Sequence, residues 1–307
     1  MLIAVTGASG FVGGCIARAL AANGHRVTSY GRRPLAAVRS SLPDYHAWDI
    51  ARGPIAASHV DAVIHCAAMV GDWGAGGAYH AVNVRGTHAV LESFASADRF
   101  IHVSTTSVYS DDVPVVNVDE DAPIGDCAHS AYGRSKAEAE RVLLTAGRPV
   151  IVLRPHVVYG PGDTTLLPRL LAAERFGRLP VPGTGRNHLS VTHVENLTIA
   201  VEHALRAPVV RGVFNVSDAE VPTVDALLTT VLARIGSRAR PRYVPRHAAW
   251  RAATLCEWLW RTGRVTQPPP LTRYVVAQLA DEHTVDITRA REQLGYVPRW
   301  SYRDGPL

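Results

Sequence analysis

The sequence is poor in cysteine, and its cysteines are not placed for a zinc site or a disulfide framework. The four, Cys15, Cys66, Cys127 and Cys256, lie far apart and form no Cys-x-x-Cys pair. There are 14 histidines, but neither His-Glu-x-x-His nor a comparable ligand spacing occurs. Because metal sites need ligands at short, regular spacings, we expect no metal, and widely spaced thiols fit a reducing compartment.

Charge of one sign is not concentrated anywhere along the 307 residues. Lys+Arg number 32 against 27 Asp+Glu, a net charge of +5, and the arginines are dispersed. A dispersed excess argues against nucleic acid as a partner. No apolar run approaches about 20 residues and no charged and apolar leader precedes the first strand, so we expect an unexported, cytoplasmic protein without membrane contact.

What the sequence does contain is an alternation of short runs rich in Val and Ile with longer segments of helical period. The predicted strands are Leu2–Thr6, Arg26–Tyr30, Ala62–His65, Phe100–Ser104 and Val150–Arg154, and the predicted helices are Phe11–Asn23, Tyr79–Ala97 and Ser130–Ala146. Such βαβ units build a parallel sheet that is covered on both faces. We therefore predict an α/β fold, a Rossmann-type doubly wound parallel sheet with a smaller, mixed C-terminal substrate domain.

The alternation degrades after Pro155, where several prolines interrupt the chain. It returns at Val194–Arg206 and Val213–Val216, which look like a helix and a strand of the same sheet. We therefore assign residues 1–160 with 190–216 to the Rossmann domain that contains the sheet. Residues 161–189 with 217–307 are assigned to a substrate-binding domain.

A glycine-rich turn follows the first predicted strand and opens the first predicted helix. Gly7 permits a tight turn, Gly10 lets the backbone approach a pyrophosphate, and Gly13 lets helix and strand pack closely. The helix N-terminus then faces the anion. The candidate phosphate-binding residues are Gly7, Ser9, Gly10, Phe11, Val12 and Gly13.

The end of the second strand predicts which dinucleotide binds. Enzymes that use NAD place an acidic residue there, but this chain reads Tyr30-Gly31-Arg32-Arg33, and guanidinium groups pair well with a 2′-phosphate. We therefore expect NADP(H) to be preferred, with NAD(H) as the alternative if both arginines are merely solvated.

Two further segments are candidates for cofactor contact. Asp49 and Ile50 follow a presumed third strand, where Asp49 could meet the adenine amino group or simply stabilise a turn. Cys66, Ala67 and Ala68 end the fourth strand with small side chains where the backbone must pass near the cofactor.

Tyr132 and Lys136 lie four residues apart at the start of a strongly helical segment, so their side chains share one helix face. A tyrosine has a pKa near 10, and a nearby cation must favour its phenolate before it can exchange protons at neutral pH. Lys136 supplies one positive charge and an oxidised nicotinamide ring would supply a second. Tyr132 is then a base in oxidation and an acid in reduction.

Hydroxyl groups directly after the predicted strand Phe100–Ser104 complete the pattern. They lie at the carboxyl end of a parallel strand, where ligands of α/β proteins bind, and they can donate to a substrate oxygen as charge develops there. Thr105 is the first candidate and Ser107 the second, with a structural capping role as the alternative.

At this point the chain resembles the extended short-chain dehydrogenases over nearly its whole length. The matching stretches are TGASGFVG from Thr6, VIHCAA from Val63, VSTTSVY from Val103, YGRSK from Tyr132 and LRPHVVYGPGD from Leu153. The resemblance implies that Thr105 is the serine or threonine whose hydroxyl takes part in catalysis in this family. It also implies that Lys136 holds the nicotinamide ribose. It also implies that backbone from Pro155 to Val158 meets the carboxamide, and that the protein forms a homodimer.

The tail resembles one branch of this family, the 3β-hydroxysteroid dehydrogenases, which includes bacterial reductases of long-chain 2-alkyl-3-keto acids. The similar segments are PPLTR from Pro269, TVDI from Thr284 and LGYVP from Leu294, together with VGDWG from Val70. The resemblance implies a small-molecule substrate that is apolar and carries one secondary alcohol or ketone. Our candidate substrate residues are Val70, Trp73, Thr106, His156 and Arg186, and Trp73 would suit either a mobile apolar lid or an ordinary surface loop.

Two other functions are consistent with parts of this pattern. Nucleotide-sugar epimerases and dehydratases of the family, which retain their NAD(P), usually carry an arginine ahead of an Asp-Phe pair; here Arg186 precedes Asn187-His188-Leu189 instead. A non-catalytic NADP-sensing protein would need only the glycine turn. The intact set of Thr105, Tyr132 and Lys136 favours an oxidoreductase over a sensor.

Overall fold

The computed structural model describes residues 1–38, 42–109, 114–125, 127, 129–164 and 166–307. The strands are β1 Leu2–Thr6, β2 Arg26–Gly31, β3 Tyr45–Ala47, β4 Ala62–His65, β5 Arg99–Val103, β6 Val115–Val118, β7 Val150–Pro155, β8 Val158–Tyr159, β9 Arg178–Pro182, β10 Thr192–His193, β11 Gly212–Val216, β12 Arg240–Val244 and β13 His283–Val285. The α-helices are α1 Phe11–Ala22, α2 Gly76–Tyr79, α3 Gly86–Ser93, α4 Ala131–Thr145, α5 Leu166–Ala173, α6 Val194–Arg206, α7 Val224–Arg234, α8 Arg246–Thr262 and α9 Arg273–Ala280. Short 3₁₀ turns occupy Leu35–Ala37, Ile50–Arg52 and Thr106–Val108, and π-helical turns occupy His80–Arg85 and Ala290–Leu294.

Within the described residues, seven parallel strands form one sheet in the order β11-β7-β5-β4-β1-β2-β3. The strand order reverses beside β1, between β4 and β2, which is where a doubly wound sheet opens a crevice for a ligand. The α/β, Rossmann-type prediction is confirmed. The predicted return of the chain to the sheet is also correct, since β11 pairs with β7 along its whole length.

Both faces of the sheet are buried, which explains why its strands read as continuous apolar runs. Ile3 and Val5 of β1 face a core that also contains residues of α1 and α6, whereas Ala4 faces the opposite core, under α3 and α4. Phe100 and Ile101 of β5 divide between the two cores in the same way. The carboxyl ends of β1, β2, β4, β5 and β7 therefore meet at one edge, and the candidate residues follow these strands.

The helix predicted over Tyr79–Ala97 differs from the structure in its bounds and in its type. The helical segment begins at Gly76, contains a π-helical turn at His80–Arg85 and ends at Ser93, because Phe94 leaves the helical conformation with φ −118° and ψ 41°. Asn83 in the π turn accepts a hydrogen bond from the Met69 backbone N–H (2.7 Å) and donates one to the Met69 carbonyl (3.0 Å). The turn thus ties this helix to the loop after β4.

Three two-stranded ribbons lie outside the main sheet and pair β8 with β10, β9 with β12, and β6 with β13. Leu179, Val181 and Leu228 belong to an apolar cluster of their own, away from the two cores of the sheet. The division into a Rossmann domain and a substrate domain stays a prediction. In the part of the chain described here, no helix combines the length and the apolar character needed to cross a membrane.

Candidate active site

The glycine turn between β1 and α1 is packed too closely for side chains. Gly7 has φ +75°, and a Cβ added there would lie 2.6 Å from the backbone nitrogen of Ala67. A Cβ on Gly13 would lie 2.5 Å from the carbonyl oxygen of Gly7, and the Gly10 N–H donates to that same oxygen (2.9 Å). The turn is therefore a bare backbone cradle.

The N-terminus of α1 opens into this cradle. Gly10 occupies the N-cap position without a side-chain cap, and the first turn, which begins with Phe11 and Val12, contains no acidic residue. Ser9 is in contact with the end of β2, since a Cβ on Gly31 would lie 2.5 Å from its hydroxyl oxygen. Unneutralised backbone donors at the positive end of a helix suit the diphosphate of a dinucleotide.

Arg32, directly after β2, borders a cavity of about 400 Å³. Trp48, Asp49 and Arg52 also line this cavity, whereas Arg33 is exposed and is not among the lining residues. Arg52 escaped prediction because it lies in the turn after β3, and only the fold brings it to the same cavity as Arg32. Two guanidinium groups on one cavity fit a phosphate.

Asp49 and Ile50 have local roles in the structure. The Asp49 carboxylate accepts a hydrogen bond from the Ala51 N–H (3.1 Å) and lies 3.7 Å from the Arg52 guanidinium. Ile50 is buried against Gly86, where a Cβ would lie 2.6 Å from its terminal carbon. Their contact with adenine stays a prediction.

The small residues after β4, from Cys66 to Ala68, are half-buried and adjoin the glycine turn. The Ala67 N–H points at the Thr6 hydroxyl at 3.4 Å. Burial raises the pKa of the Cys66 thiol to about 12, with a smaller opposing effect of Lys136. The thiol is therefore protonated and unreactive at neutral pH.

Tyr132 lies in the first turn of α4, and two small residues fix this turn. The Ser130 side chain caps the helix by accepting from the Gly133 N–H (2.9 Å). A Cβ on Gly133 would clash with the carbonyl oxygen of Ser107, so glycine lets α4 approach the 3₁₀ turn after β5. Sequence positions 105–107 and 132 are brought together in this way.

Thr105 lies beside Tyr132, as the sequence predicted. Its hydroxyl donates to Ser107 Oγ (3.0 Å) and accepts from the Ser107 N–H (3.1 Å), and it is near enough to the Tyr132 phenol to affect its pKa. Burial raises the pKa of Tyr132 above its ordinary value, the nearby phenol of Tyr274 adds to the rise, and the Thr105 hydroxyl opposes it. Tyr132 is therefore held as a protonated acid by its surroundings in the protein.

Lys136, the only lysine of the sequence, is 1% exposed. Its ammonium donates to the Val103 carbonyl oxygen (2.8 Å) and lies 2.9 Å from Nε2 of His102. Burial lowers the pKa of Lys136 to about 8, against the opposing effects of Glu140 and Cys66. The sequence placed this charge one helical turn from Tyr132, and the structure shows that its contacts are with the end of β5.

A pair of buried histidines lies beneath Lys136 on neighbouring strands, with His65 opposite His102 and the ring centroids 5.0 Å apart. Nδ1 of His65 is 2.7 Å from the Thr6 hydroxyl and Nε2 is 2.9 Å from the Thr87 hydroxyl. Because Thr87 already donates its proton to the Asn83 carbonyl (2.6 Å), His65 must donate through Nε2. Burial lowers the pKa of His65 to about 3, so its ring is neutral.

Two of the predicted substrate residues adjoin the site. Thr106 is buried in the 3₁₀ turn, and Trp73 is half-buried in the loop after β4. The Trp73 indole N–H donates to the Val265 carbonyl (3.2 Å) and the Arg261 guanidinium lies 5.6 Å from the ring centroid. The loop is therefore in contact with the segment that follows α8.

The other three predicted substrate residues show no shared pocket. Val70 is 61% exposed, and the Arg186 side chain is exposed on the loop after β9. His156 is buried with its ring 6.0 Å from that of His283, and burial lowers its pKa to about 3. Their contact with substrate stays a prediction.

Sequence reasoning missed Tyr274, which lies in the first turn of α9. Its phenol oxygen is 2.8 Å from Ser107 Oγ, so the C-terminal part of the chain reaches the candidate catalytic residues. No motif spacing could reveal this, because the two residues are far apart in sequence and only the fold brings them together.

Comparison with known proteins identifies relatives along the whole chain. Residues 3–217 match the NAD dependent epimerase/dehydratase family. The chain is 32% identical to 2-alkyl-3-oxoalkanoate reductase of Stenotrophomonas maltophilia, with 99% of this chain and 97% of that protein covered. It is 30% identical to a 4-hydroxy-2-methyl-3-oxo-4-farnesyl-3,4-dihydroquinoline-1-oxide ketoreductase of Stigmatella aurantiaca, covering 98% and 93%.

The predicted branch is also represented among the relatives. A 3 beta-hydroxysteroid dehydrogenase/Delta 5-->4-isomerase of Mycobacterium tuberculosis is 27% identical, with 96% of this chain and 86% of that protein covered. In fold, the structure is similar to UDP-glucuronic acid 4-epimerase from Bacillus cereus in complex with NAD. The TM-score is 0.74 at 23% identity, covering 99% and 96% of the two chains. The chain belongs to the NAD dependent epimerase/dehydratase family and is an NAD(P)-dependent reductase of the extended short-chain dehydrogenase type.

Proposed function

We propose that the protein transfers hydride between NADP(H) and a secondary alcohol or ketone of a hydrophobic substrate, either steroid-like or a 3-oxo or 3-hydroxy acyl compound. One observation carries the proposal: α4 packs with Gly133 against Ser107, which brings Tyr132 to Thr105 at the carboxyl end of β5, and the buried Lys136 follows Tyr132 by one helical turn. The glycine cradle lies at the same edge of the sheet. A proton donor, an oxygen-binding hydroxyl and a dinucleotide site are the parts that carbonyl reduction needs.

The residues would divide the chemistry as follows. When bound, the nicotinamide ring supplies the hydride in reduction and accepts it in oxidation. In reduction, Tyr132 Oη gives its proton to the carbonyl oxygen as the carbon–oxygen π bond breaks, and in oxidation it takes the proton back. Thr105 Oγ1 donates a hydrogen bond to the same oxygen, and the charge of Lys136 stabilises the phenolate that the proton transfer leaves.

The dinucleotide would be held along the edge that the strands share. Gly7, Gly10 and Gly13 would hold the diphosphate, Lys136 the nicotinamide ribose, and backbone between Pro155 and Val158 the carboxamide. The cradle fits, because any Cβ on Gly7 or Gly13 would fill it.

An apolar ketone is favoured over a nucleotide sugar by the segment that follows β9. Its Asn187 side chain donates to the carbonyls of Leu279 (3.2 Å) and Asp281 (2.7 Å), and Leu189 forms a β-bridge with His283. These residues, which replace the Asp-Phe pair of the epimerases, are thus used for packing. The names of the bacterial relatives, an oxoalkanoate reductase and a ketoreductase, support the same substrate class.

The test of the reaction is Tyr132→Phe, which removes one hydroxyl. We expect kcat for NADPH-dependent reduction of a long-chain 3-oxo ester to fall by about 10²–10⁴-fold, the usual contribution of a positioned proton donor. Binding of NADPH, followed by its fluorescence, should change little. Tyr243→Phe is the matched control, because this phenol bonds Asp225 outside the site. Full activity of Tyr132→Phe would refute the role.

The competing functions predict different results with the wild-type protein. Dinucleotide that co-purifies, with no net consumption of added NADPH, would favour an epimerase or dehydratase. Tight NADPH binding with no turnover of any ketone or alcohol would favour a sensor.

Preference for NADP(H) is proposed from the cavity that Arg32 and Arg52 share. We expect Arg32→Ala to weaken NADPH binding by roughly tenfold, as loss of a charge-assisted hydrogen bond to phosphate does, and to leave NADH binding unchanged. Arg251→Ala, on the exposed side of α8, is the control. Equal weakening for both dinucleotides, or better wild-type efficiency with NADH, would contradict the proposal.

A further inference from the structure

A chain of hydroxyl groups runs from Tyr132 to the C-terminal part of the protein. Tyr132 lies beside Thr105, Thr105 donates to Ser107 Oγ (3.0 Å), and Ser107 Oγ is 2.8 Å from the phenol oxygen of Tyr274. Tyr274 also raises the pKa of Tyr132, which means that the two phenols are near enough to interact electrostatically. Tyr274 therefore borders the space where a carbonyl oxygen would meet Tyr132 and Thr105.

The position of Tyr274 is fixed by the two residues that precede it. Thr272 caps α9 and donates to the carboxylate of Asp72 (2.6 Å), in the loop after β4. The Arg273 N–H donates to the carboxylate of Glu257 (2.7 Å), on α8, and its guanidinium bonds the same group (2.9 Å). The carboxylate side chains are only 4% and 8% exposed, and buried charges of this kind hold their donors firmly because releasing them is costly.

A cation lies near enough to Tyr274 to interact with it electrostatically. The Arg169 guanidinium makes two hydrogen bonds to Asp72 (2.8 and 3.0 Å), and Tyr274 contributes to raising the pKa of Arg169. Tyr274 thus has both the Ser107 hydroxyl and a paired guanidinium in its surroundings. This environment suits an uncharged or weakly negative oxygen that accepts a hydrogen bond from the phenol.

We propose that Tyr274 is a specificity-determining residue that donates a hydrogen bond to a second oxygen of the substrate, beyond the carbonyl that is reduced. Thr105 and Tyr274 are each one hydrogen bond from Ser107 Oγ, and two neighbouring hydroxyl groups call for two neighbouring substrate oxygens, as a β-dicarbonyl group has. This rests on the proposed function and narrows its substrate class to 3-oxo acyl compounds. A simple ketone would leave the Tyr274 donor without its substrate partner.

The test compares two probes in wild-type protein and in Tyr274→Phe: a long-chain 3-oxo methyl ester, and a methyl ketone of the same chain length that lacks the second oxygen. We expect Tyr274→Phe to lower the ratio of kcat/KM for the 3-oxo ester to kcat/KM for the ketone roughly tenfold, because only the ester loses a hydrogen bond to its second oxygen. NADPH binding and melting temperature should match wild type. Tyr243→Phe, which removes a phenol outside the site, should leave the ratio of the two probes unchanged.

The results distinguish this inference from the function on which it rests. If wild type reduces both probes and Tyr274→Phe lowers kcat/KM for both equally or for neither, Tyr274 does not bind the second oxygen. The proposed function then still stands. A wild-type protein that reduces neither probe and oxidises no secondary alcohol in the reverse direction overturns the proposed function and this inference together.

Discussion

Single positions in this protein act as much through missing atoms as through functional groups. The cradle between β1 and α1 exists because Gly7 and Gly13 carry no Cβ, and α4 lies close to the 3₁₀ turn because Gly133 carries none. Elsewhere the proposed function rests on a single side chain, as it does at Thr105 beside Tyr132. These two kinds of position respond differently to substitution.

Gly13→Ala should damage the cradle. The new Cβ would lie 2.5 Å from the Gly7 carbonyl oxygen, so the backbone must move, and we expect a loss of about 1–3 kcal/mol in the free energy of unfolding with weaker NADPH binding. Chemical denaturation and dinucleotide titration measure the two effects.

Gly76→Ala is the control for that substitution, because a Cβ there meets nothing within 4 Å and the position begins α2. It should be neutral or slightly stabilising. Gly13→Ala with wild-type stability and wild-type affinity would show that the turn can relax.

The sequence identified the residues that follow a strand or share a helix face, because those relations are local. Gly7, Tyr132 and Lys136 belong to this group, and Thr105 was found because hydroxyls at the end of a parallel strand occupy a known edge. Arg52 and Tyr274 could not be found in this way. Each reaches the site only through packing between segments far apart in the chain, and no periodicity records such contacts.

At the scale of elements, the N-terminal ends of α4 and α9 fix the positions of Tyr132 and Tyr274. Both helices begin with a hydroxyl cap, Ser130 for α4 and Thr272 for α9. Tyr132 and Tyr274 each lie two residues after their cap. Because a cap fixes the first turn of its helix, these hydroxyls orient the phenols as well as stabilise the helices.

Removing the cap of α4 should therefore lower both the stability and the activity of the protein. We expect Ser130→Ala to lower the free energy of unfolding by about 1 kcal/mol, the usual value for an N-cap, and to lower kcat because Tyr132 loses its fixed turn. Denaturant unfolding and steady-state kinetics measure both.

The matched control is Thr223→Ala, since Thr223 caps α7 by the same bond, accepting from the Ala226 N–H (3.2 Å). It should cost a similar free energy without changing kcat. An equal fall of kcat in both variants would mean that stability alone limits activity.

The elements with a clear sequence pattern were predictable, and the two-stranded ribbons were not. β1, β4 and α6 have the bounds that the sequence predicts, because each is a clear apolar run or a clear helical period. The pairs β6–β13 and β9–β12 join short strands that have no partner nearby in the chain. The π turn at His80–Arg85 depends on the bonds of Asn83 to the loop after β4, which periodicity does not contain.

For the molecule as a whole, burial strongly lowers the pKa of three histidines among the described residues. Burial lowers the pKa of His65 and His156 to about 3 and that of His102 well below its ordinary value. The homodimer, the cytoplasmic location and the absence of nucleic-acid and membrane partners stay predictions. The histidines, by contrast, give the whole fold a defined dependence on pH.

Stability should fall on acidification through the window between pH about 6.5 and about 3. In that window the unfolded chain binds protons at His65, His102 and His156 that the folded chain does not, so each histidine removes up to about 1.4 kcal/mol per pH unit. Unfolding free energies measured at several pH values test this.

His65→Gln should make that dependence shallower, because one of the three groups no longer titrates. His247→Gln, at an exposed position of α8, is the control for loss of a histidine. A slope that is the same in wild type and in His65→Gln would contradict the assignment of a neutral, buried His65.

The solitary Lys136 has a consequence for the chemical reactivity of the entire surface. Every other basic side chain outside the histidines is arginine, and guanidinium groups keep their protons in alkaline solution and resist acylation. Apart from the terminal α-amino group, the protein therefore has a single amine for an acylating reagent to modify, and that amine is buried against the end of β5. Its rate of modification reports how often this part of the structure becomes open to solvent.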